Sequence, residues 1–175
     1  GAMTDRQTIY ALGTPAPSRA APGAISVIRI SGKRAADALI FLTERQAYER
    51  GGSARDPALP AARRMAVRTV IDPVTAEEID RGLVVWFEAP NTETGETMAE
   101  LHLHGGRAVV SAALAAIAKL DFCRLAEPGE FTRRAFENNK LDLTEAEAIA
   151  DLVAAETAAQ RRLALQQMDG ALHHL

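Results

Sequence analysis

The chain has 175 residues, of which 47% are hydrophobic and 25% charged, a composition that fits a globular domain with an appendage and excludes a fibrous or disordered protein. With 20 basic against 23 acidic residues the net charge is −3, which does not favour a stand-alone nucleic-acid-binding protein. No run of about 18 apolar residues predicts a membrane span, and the single cysteine, Cys123, is interpreted as a small buried residue in a reducing, cytoplasmic protein.

The N-terminal part of the chain is predicted to contain two strands and a helix. Residues 1–7 begin with Gly-Ala-Met, which we interpret as an expression remnant ahead of a flexible N-terminus. Short β-branched stretches predict strands over 8–14 and 24–31, joined by a proline-rich loop. Apolar residues at helical spacing predict a helix within 33–45, and the polar residues 50–61 predict a surface loop.

The next segments alternate between predicted strands and a predicted helix. In chain order they are strands over 63–71, 82–89 and 97–104, a deeply packed helix over 107–120 and a short strand over 121–126. The first two of these strands are predicted to form a hairpin with a long connection over 72–81. Because the alternation lacks strict βαβ repetition, residues 8–127 are predicted to form an α+β domain with helices packed on a mixed β-sheet.

From residue 128 onward the pattern becomes helical. Phe131, Ala135 and Phe136 indicate a short helix, and Thr144 and Glu147 have the spacing of a capping box that begins a long helix. The long helix carries an apolar stripe that consists of Ile149, Leu152, Val153, Ala159, Leu163 and Met168. Such a stripe requires a helical partner, so we predict that residues 128–175 are the truncated start of a helical domain.

The stretch ELHLHGG places three polar side chains on one face of a predicted strand. Glu100, His102 and His104 alternate with two leucines, so the opposite face is apolar. One interpretation is a zinc site, although residues two apart on a strand lie roughly 7 Å apart and would not converge unaided on one ion. The other interpretation is local hydrogen bonding by these side chains on a half-exposed face.

Two glycines, Gly105 and Gly106, stand between this strand and the next predicted helix. Glycines at such a turn leave the first N–H groups of the helix facing outward, where an anion or the polar edge of a ring can bind. Many turns use glycine for geometry alone. The pair is therefore compatible both with a ligand site and with a purely structural turn.

Two cations need an explanation of their own. Arg29 lies among apolar neighbours on a predicted strand, where an unpaired guanidinium would be costly, so its partner is predicted to be either Glu100 or a ligand. Lys140 lies at the joint between the short and the long helix. A lysine in a turn is commonly a solvated surface residue.

Three stretches resemble the N-terminal region of the tRNA-modification GTPase family, called MnmE or TrmE. They are SVIRISG at 26–32, GETMAELHLHGG at 95–106 and EPGEFTRRAFENNKLDLTEAEAIADL at 127–152. The resemblance extends from about residue 8 to the end of the chain. It implies an α+β domain, related to the folate-binding domain of aminomethyltransferases, that binds 5-formyltetrahydrofolate and forms a homodimer. A helical domain with an inserted GTPase domain is implied to follow.

The resemblance also implies a set of ligand-binding residues. Arg29, Glu100 and Lys140 match the family positions that contact the folate. A carboxylate such as Glu100 suits the paired N–H donors of a pterin ring, and the two cations suit its carbonyl oxygens or the carboxylates of the glutamate tail. His102, His104, Gly105 and Gly106 are implied to support the pocket, which holds no metal. The stretch 91–97 departs from the usual family pattern at Glu93 and Thr97.

The full-length family protein is implied to be an enzyme. With an FAD- and NADH-dependent partner protein it adds an aminomethyl-type group at carbon 5 of the wobble uridine of certain tRNAs. This chain contains no G-x-x-x-x-G-K-[ST] stretch, so GTP, magnesium and potassium are expected only for the GTPase domain, and the chain itself is predicted to be a non-catalytic folate-binding and dimerisation module. Two alternatives stay open: a structural dimerisation domain without ligand, and a metalloenzyme built on Glu100, His102 and His104.

Overall fold

The computed structural model describes residues 7–13, 25–45, 59–151, 153–155, 157–158 and 165. The chain divides into two compact units, Gly1–Ala126 and Glu127–Leu175, which are described in turn. In the part of the chain that the structure describes, no helix combines the length and the apolar composition needed to cross a bilayer.

Six strands within the described residues form one mixed sheet in the order β3-β4-β5-β2-β1-β6. The strands are β1 (Thr8–Leu12), β2 (Ser26–Ser31), β3 (Ala66–Ile71), β4 (Glu78–Phe87), β5 (Met98–Leu103) and β6 (Cys123–Leu125). The helices of this unit are α1 (Ala35–Phe41) and α2 (Arg107–Ala118). Strands β1 and β6 are parallel and the other neighbouring strands are antiparallel. The structure confirms the predicted α+β class with a mixed sheet and packed helices.

Alternate residues of the central strands build the hydrophobic core on one side of the sheet. Ile28 and Ile30 of β2, together with Leu101 and Leu103 of β5, are fully buried and pack in one cluster with residues of both helices. Burying a side chain of this size stabilises a protein by about 1.5–3 kcal/mol. The alternation also fixes the other side of the sheet, because the residues between these positions must point away from the helices.

Cys123 lies at the edge of this core, on β6. It is a free, buried cysteine. Burial raises the pKa of its thiol to about 12, against a smaller lowering by the charge of Arg34, so the thiol stays neutral at physiological pH. The structure confirms the prediction that this cysteine is a small buried residue.

Helix α2 is packed less deeply than the sequence predicts. Its composition predicts burial on nearly all sides, but Ala108, Ala112 and Ala115 are exposed, whereas Val110 and Ile117 are buried. The prediction is wrong because alanine counts as apolar in the sequence pattern, yet an exposed alanine leaves little apolar surface in water.

The connection between β3 and β4 is shorter than predicted, because β4 begins at Glu78. Oδ1 of Asp72 accepts hydrogen bonds from the backbone N–H groups of Val74 (2.8 Å) and Thr75 (2.9 Å), which closes the turn early. Burial raises the pKa of the Asp72 carboxyl, but the hydrogen bond from Lys119, the two backbone bonds and the charge of Lys119 together lower it below its ordinary value. The ionised carboxylate therefore stabilises the turn near neutral pH, and this contribution is lost as the pH falls through the lowered pKa.

The second unit contains helix α3 (Glu130–Glu137) and further helical residues from 143 onward. The predicted short helix is confirmed. Gly129 precedes it with a φ of 77°, and a Cβ added there would lie 2.9 Å from Cγ1 of Val153. A side chain at this position would therefore be both strained and crowded. Of the predicted apolar stripe, four members lie outside the described residues: Leu152, Ala159, Leu163 and Met168.

The long helix does not begin with the predicted capping box. The first helical residue is 143, so Thr144 already lies in the first turn. Oδ1 of Asp142 accepts the backbone N–H of Glu145 at 2.7 Å, which is the bond that an N-cap residue makes. The prediction of Thr144 and Glu147 as the capping pair is wrong because an aspartate two residues earlier competes for the same role.

Gly32, directly after β2, gives a test of the fold of the first unit. Its φ is 147°, and an added Cβ would lie 2.6 Å from the Cα of Thr8 on β1. We expect Gly32→Ala to lower the free energy of unfolding by about 2 kcal/mol, measured by urea denaturation. Gly106→Ala is the control, since φ is −76° there and an added Cβ meets nothing within 4 Å. Similar losses in the two variants would contradict this account.

Glu130 gives a test of the second unit, because its side chain is fully buried. Oε1 accepts the backbone N–H of Glu127 at 3.0 Å, and Oε2 accepts hydrogen bonds from Arg134 (3.1 Å) and contacts Arg133 (3.3 Å). We expect Glu130→Ala to destabilise the protein by about 3 kcal/mol in thermal unfolding, because it leaves the buried Arg134 without this carboxylate. Glu137→Ala, which removes an exposed carboxylate of the same helix, should cost no more than about 0.5 kcal/mol.

Candidate functional site

A row of polar side chains crosses the middle of the sheet on the face opposite the helices. In the antiparallel pairing of β2 with β5, Arg29 stands directly opposite Glu100, and Val27 stands opposite His102. The side chains of Arg29, Glu100 and His102 are 22%, 25% and 24% exposed, so all three are open to a ligand yet largely surrounded by protein. The structure thus brings together three of the residues that the sequence singled out.

Arg29 and Glu100 take different partners although they face each other across the strands. Nη2 of Arg29 lies 2.6 Å from Oε2 of Glu93. Nε2 of His102 lies 2.9 Å from Oε1 of Glu100. The alternative in which Arg29 forms a salt bridge with Glu100 is therefore not the arrangement of the described residues. No hydrogen bond from another described residue to Oε2 of Glu100 is seen, so this oxygen can accept one from a ligand.

The two charged groups lean towards opposite ends of the strands. Glu100 leans towards His102, further along β5, whereas Arg29 leans towards the loop that joins β4 to β5 at the Ser31 end of β2. That loop carries Glu93. An extended ligand lying along the row could therefore place a ring edge on Glu100 and an anionic group on Arg29.

Buried hydrogen bonds fix the β4–β5 loop against β2. The hydroxyl groups of Ser31 and Thr94 lie 2.8 Å apart, and both residues are fully buried. The Ser31 hydroxyl also lies 2.9 Å from Oε1 of Glu96, and the backbone N–H of Gly32 donates to the carbonyl of Thr97 at 2.9 Å. The loop is therefore held in place directly after Glu93, whose side chain is 70% exposed.

His104 does not join the polar row. Its ring Nδ1 lies 3.2 Å from the carbonyl of Arg81, and its side chain is exposed. Its backbone N–H and that of Gly105 donate to the same carboxylate oxygen of Asp80, at 3.0 and 3.3 Å. Asp80 thus holds the turn after β5. Nothing in the sequence indicated this role, because Asp80 lies in the segment that was predicted to connect the hairpin strands.

The three candidate zinc ligands do not converge. Glu100 and His102 contact each other, while the ring of His104 turns to the backbone of β4. Among the described residues, no group of three or more His, Cys, Asp and Glu side chains could hold a metal ion. This geometry gives no support to the interpretation of these three residues as a zinc site.

The two glycines of ELHLHGG have different roles. An added Cβ at Gly105 would lie 2.1 Å from Cγ2 of Val109, so the first turn of α2 requires a glycine there. An added Cβ at Gly106 would meet nothing within 4 Å. Gly106 is the N-cap residue of α2, with open space beside it. Only Gly105 is therefore required by packing.

Lys140 belongs to the second unit, unlike the other predicted ligand-binding residues. It is exposed and follows α3, and its backbone N–H donates to the carbonyl of Ala135 at 2.8 Å. Its role in a common site with Arg29 and Glu100 therefore stays a prediction.

Sequence reasoning missed two residues that shape the surroundings of Arg29. One is Gly13, where an added Cβ would lie 2.5 Å from Cδ of Arg29, so the glycine leaves room for the stem of the arginine. The other is Glu93, the partner of its guanidinium. A glycine near the end of the strand predicted over 8–14 was a usable signal, whereas nothing in the local pattern ties Glu93 to Arg29.

Comparisons with known proteins agree with the resemblance. The family model described as "GTP-binding protein TrmE N-terminus" matches residues 8–140. The tRNA modification GTPase MnmE of Parvibaculum lavamentivorans is 52% identical over 169 residues, which cover 97% of this chain and 35% of that protein. The MnmE of Zymomonas mobilis is 48% identical over 166 residues, which cover 95% and 35%.

A human protein is similar over a shorter length. The mitochondrial 5-taurinomethyluridine-[tRNA] synthase subunit GTPB3 is 51% identical over 151 residues, which cover 86% of this chain and 28% of that protein. The chain spans about a third of the length of the curated bacterial relatives described above. On the match to residues 8–140 and these identities, the chain belongs to the family of TrmE N-terminal domains of tRNA-modification GTPases.

Proposed function

We propose that this chain is the folate-binding and dimerisation module of a tRNA-modification GTPase, and that it binds 5-formyltetrahydrofolate on the polar row of its sheet. The observation that carries the proposal is the cross-strand placement of Arg29 and Glu100 on the face away from the core. Both side chains are partly exposed, so a bound molecule would meet a positive charge at Arg29 and a negative charge at Glu100. The names of the relatives support the assignment to tRNA modification.

The charged side chains of the proposed site suit the polar groups of a reduced folate. A pterin ring offers an amino group and a ring N–H side by side, and a carboxylate held from one side by a histidine can accept from both. Glu100, held by His102, has this form. The guanidinium of Arg29 suits a carboxylate of the glutamate tail. Lys140 would add a second cation to the ligand. When bound, the folate supplies the one-carbon unit, while these residues bind and orient it.

The apolar surface of the first unit supports self-association. Ile25, Met65 and Val67 are about half exposed, at 50%, 49% and 48%. Val67 pairs with Leu83, which in turn pairs with His102, so Val67 and Leu83 form an apolar strip that continues the polar row on the same face of the sheet. Exposed apolar strips of this kind are typical of protein interfaces. We propose that they contribute to a homodimer.

The remaining parts of the activity belong to the full-length protein. We propose that GTP, magnesium and potassium bind to a GTPase domain, since this sequence has no P-loop motif. An FAD- and NADH-dependent partner protein and a tRNA complete the reaction, which modifies carbon 5 of the wobble uridine. We propose a cytoplasmic location, in keeping with the single cysteine of the sequence.

Isothermal titration of the chain with 5-formyltetrahydrofolate tests the proposal. We expect saturable binding by the wild type and binding at least about tenfold weaker by Glu100→Gln, because the amide replaces one acceptor oxygen and removes the charge. The melting temperature should stay unchanged, since Glu93 still pairs with Arg29 in this variant.

Glu77→Gln is the matched control, because it removes an exposed carboxylate from the distant β3–β4 turn. It should bind the folate like the wild type. Absence of saturable binding by the wild type would contradict the proposal. A Glu100→Gln variant that melts several degrees lower and still binds would instead indicate a structural role for Glu100.

A further inference from the structure

We propose that Glu93 is a built-in competitor for the ligand, which occupies Arg29 while the site is empty and is displaced by a carboxylate of the glutamate tail. The inference rests on the proposed folate-binding function and deepens it. It assigns to Glu93 control over how tightly the site holds a ligand with an anionic tail.

The ion pair between Arg29 and Glu93 is asymmetric. Its atoms lie 2.6 Å apart, but the Arg29 side chain is 22% exposed whereas that of Glu93 is 70% exposed. The stem of Arg29 is also confined, because it packs within 2.5 Å of the position that a Cβ of Gly13 would take. The guanidinium is therefore the fixed partner, and the carboxylate is the one that can leave.

Displacement of Glu93 needs no movement of the backbone. Its neighbour Thr94 is fully buried and bonded to Ser31. On the other side, the hydroxyl of Thr92 donates to the carbonyl of Glu96. A rotation of the Glu93 side chain into solvent is thus sufficient to free one edge of the guanidinium, and the incoming carboxylate finds the donor geometry already formed.

The carboxylates near Arg29 also support competition for its guanidinium. Among the described residues, the carboxylates of Glu93, Glu96 and Glu100 lie on the strand and loop segments next to the guanidinium of Arg29. Glu96 is bonded to Ser31 and Glu100 to His102, so both have structural partners. Glu93 is the carboxylate that contacts the cation directly, and a ligand carboxylate must exchange with it or share its position.

The test compares two ligands by isothermal titration: 5-formyltetrahydrofolate and 5-formyl-6-methyltetrahydropterin, which keeps the ring but carries neither the glutamate tail nor any other carboxylate. We expect Glu93→Gln to bind the tailed ligand about two- to fivefold more tightly than the wild type, the range for an exposed ion pair. The gain should shrink as salt is added. With the tailless ligand the two proteins should bind equally. Glu88→Gln, an exposed carboxylate at the start of the same loop, is the control and should show no gain with either ligand.

Each other outcome overturns part of the account. Saturable wild-type binding with equal or weaker binding by Glu93→Gln would overturn the competition and make Glu93 a residue that orients Arg29. An equal gain with both ligands would show that Glu93 competes with the ring and not with the tail, which also overturns the inference. Absence of saturable wild-type binding would instead overturn the proposed function, and the inference with it.

Discussion

Strand β2 pairs with β5 in a register that sets Ile28 opposite Leu101 and Arg29 opposite Glu100. Because successive side chains of a strand point to opposite faces, this one register decides both the core and the site. A slip by one residue would turn the isoleucines to solvent and bury the guanidinium, at a cost of several kcal/mol. The packing of the core therefore holds the polar row in place, although no residue of that row belongs to the core.

The site shows how a stable sheet can carry a set of charges without burying them. Arg29 is confined by Gly13 and paired with Glu93, while Glu100 is held by His102. Each charge has a partner at its side, so among the described residues the face between the two pairs is left for a ligand. The fixed β4–β5 loop is part of this arrangement, because it sets where Glu93 can reach.

The sequence predicted those parts of the structure that depend on local periodicity. Strict alternation in ELHLHGG identified the strand and its polar face, and the β-branched run around Arg29 identified the neighbouring strand. The fold class followed from the order of these elements. The composition of α2 led to a wrong prediction of deep packing, because its alanines count as apolar but do not need to be buried.

Contacts between distant segments could not be predicted in this way. Glu93 reaches Arg29 across 64 positions of sequence, and Asp80 reaches the turn after β5 across 24. The prediction for Arg29 named Glu100 as its protein partner because strand register suggests the nearest carboxylate. The loop supplies a nearer one, and its path depends on buried hydroxyl groups that carry no periodic signal.

The central claim is that Arg29 and its neighbours on the polar row contact the folate. The most direct measurement is a titration with 5-formyltetrahydrofolate followed by NMR of the arginine Nε–H groups and the histidine rings, with Arg29→Lys used for assignment. Arg34 is an internal reference, because its Nε–H donates to Asp37 at the start of α1. The account predicts that the Arg29 and His102 signals shift to a common saturation point while the Arg34 signal stays unchanged. Saturable binding that leaves the Arg29 and His102 signals unmoved would contradict it.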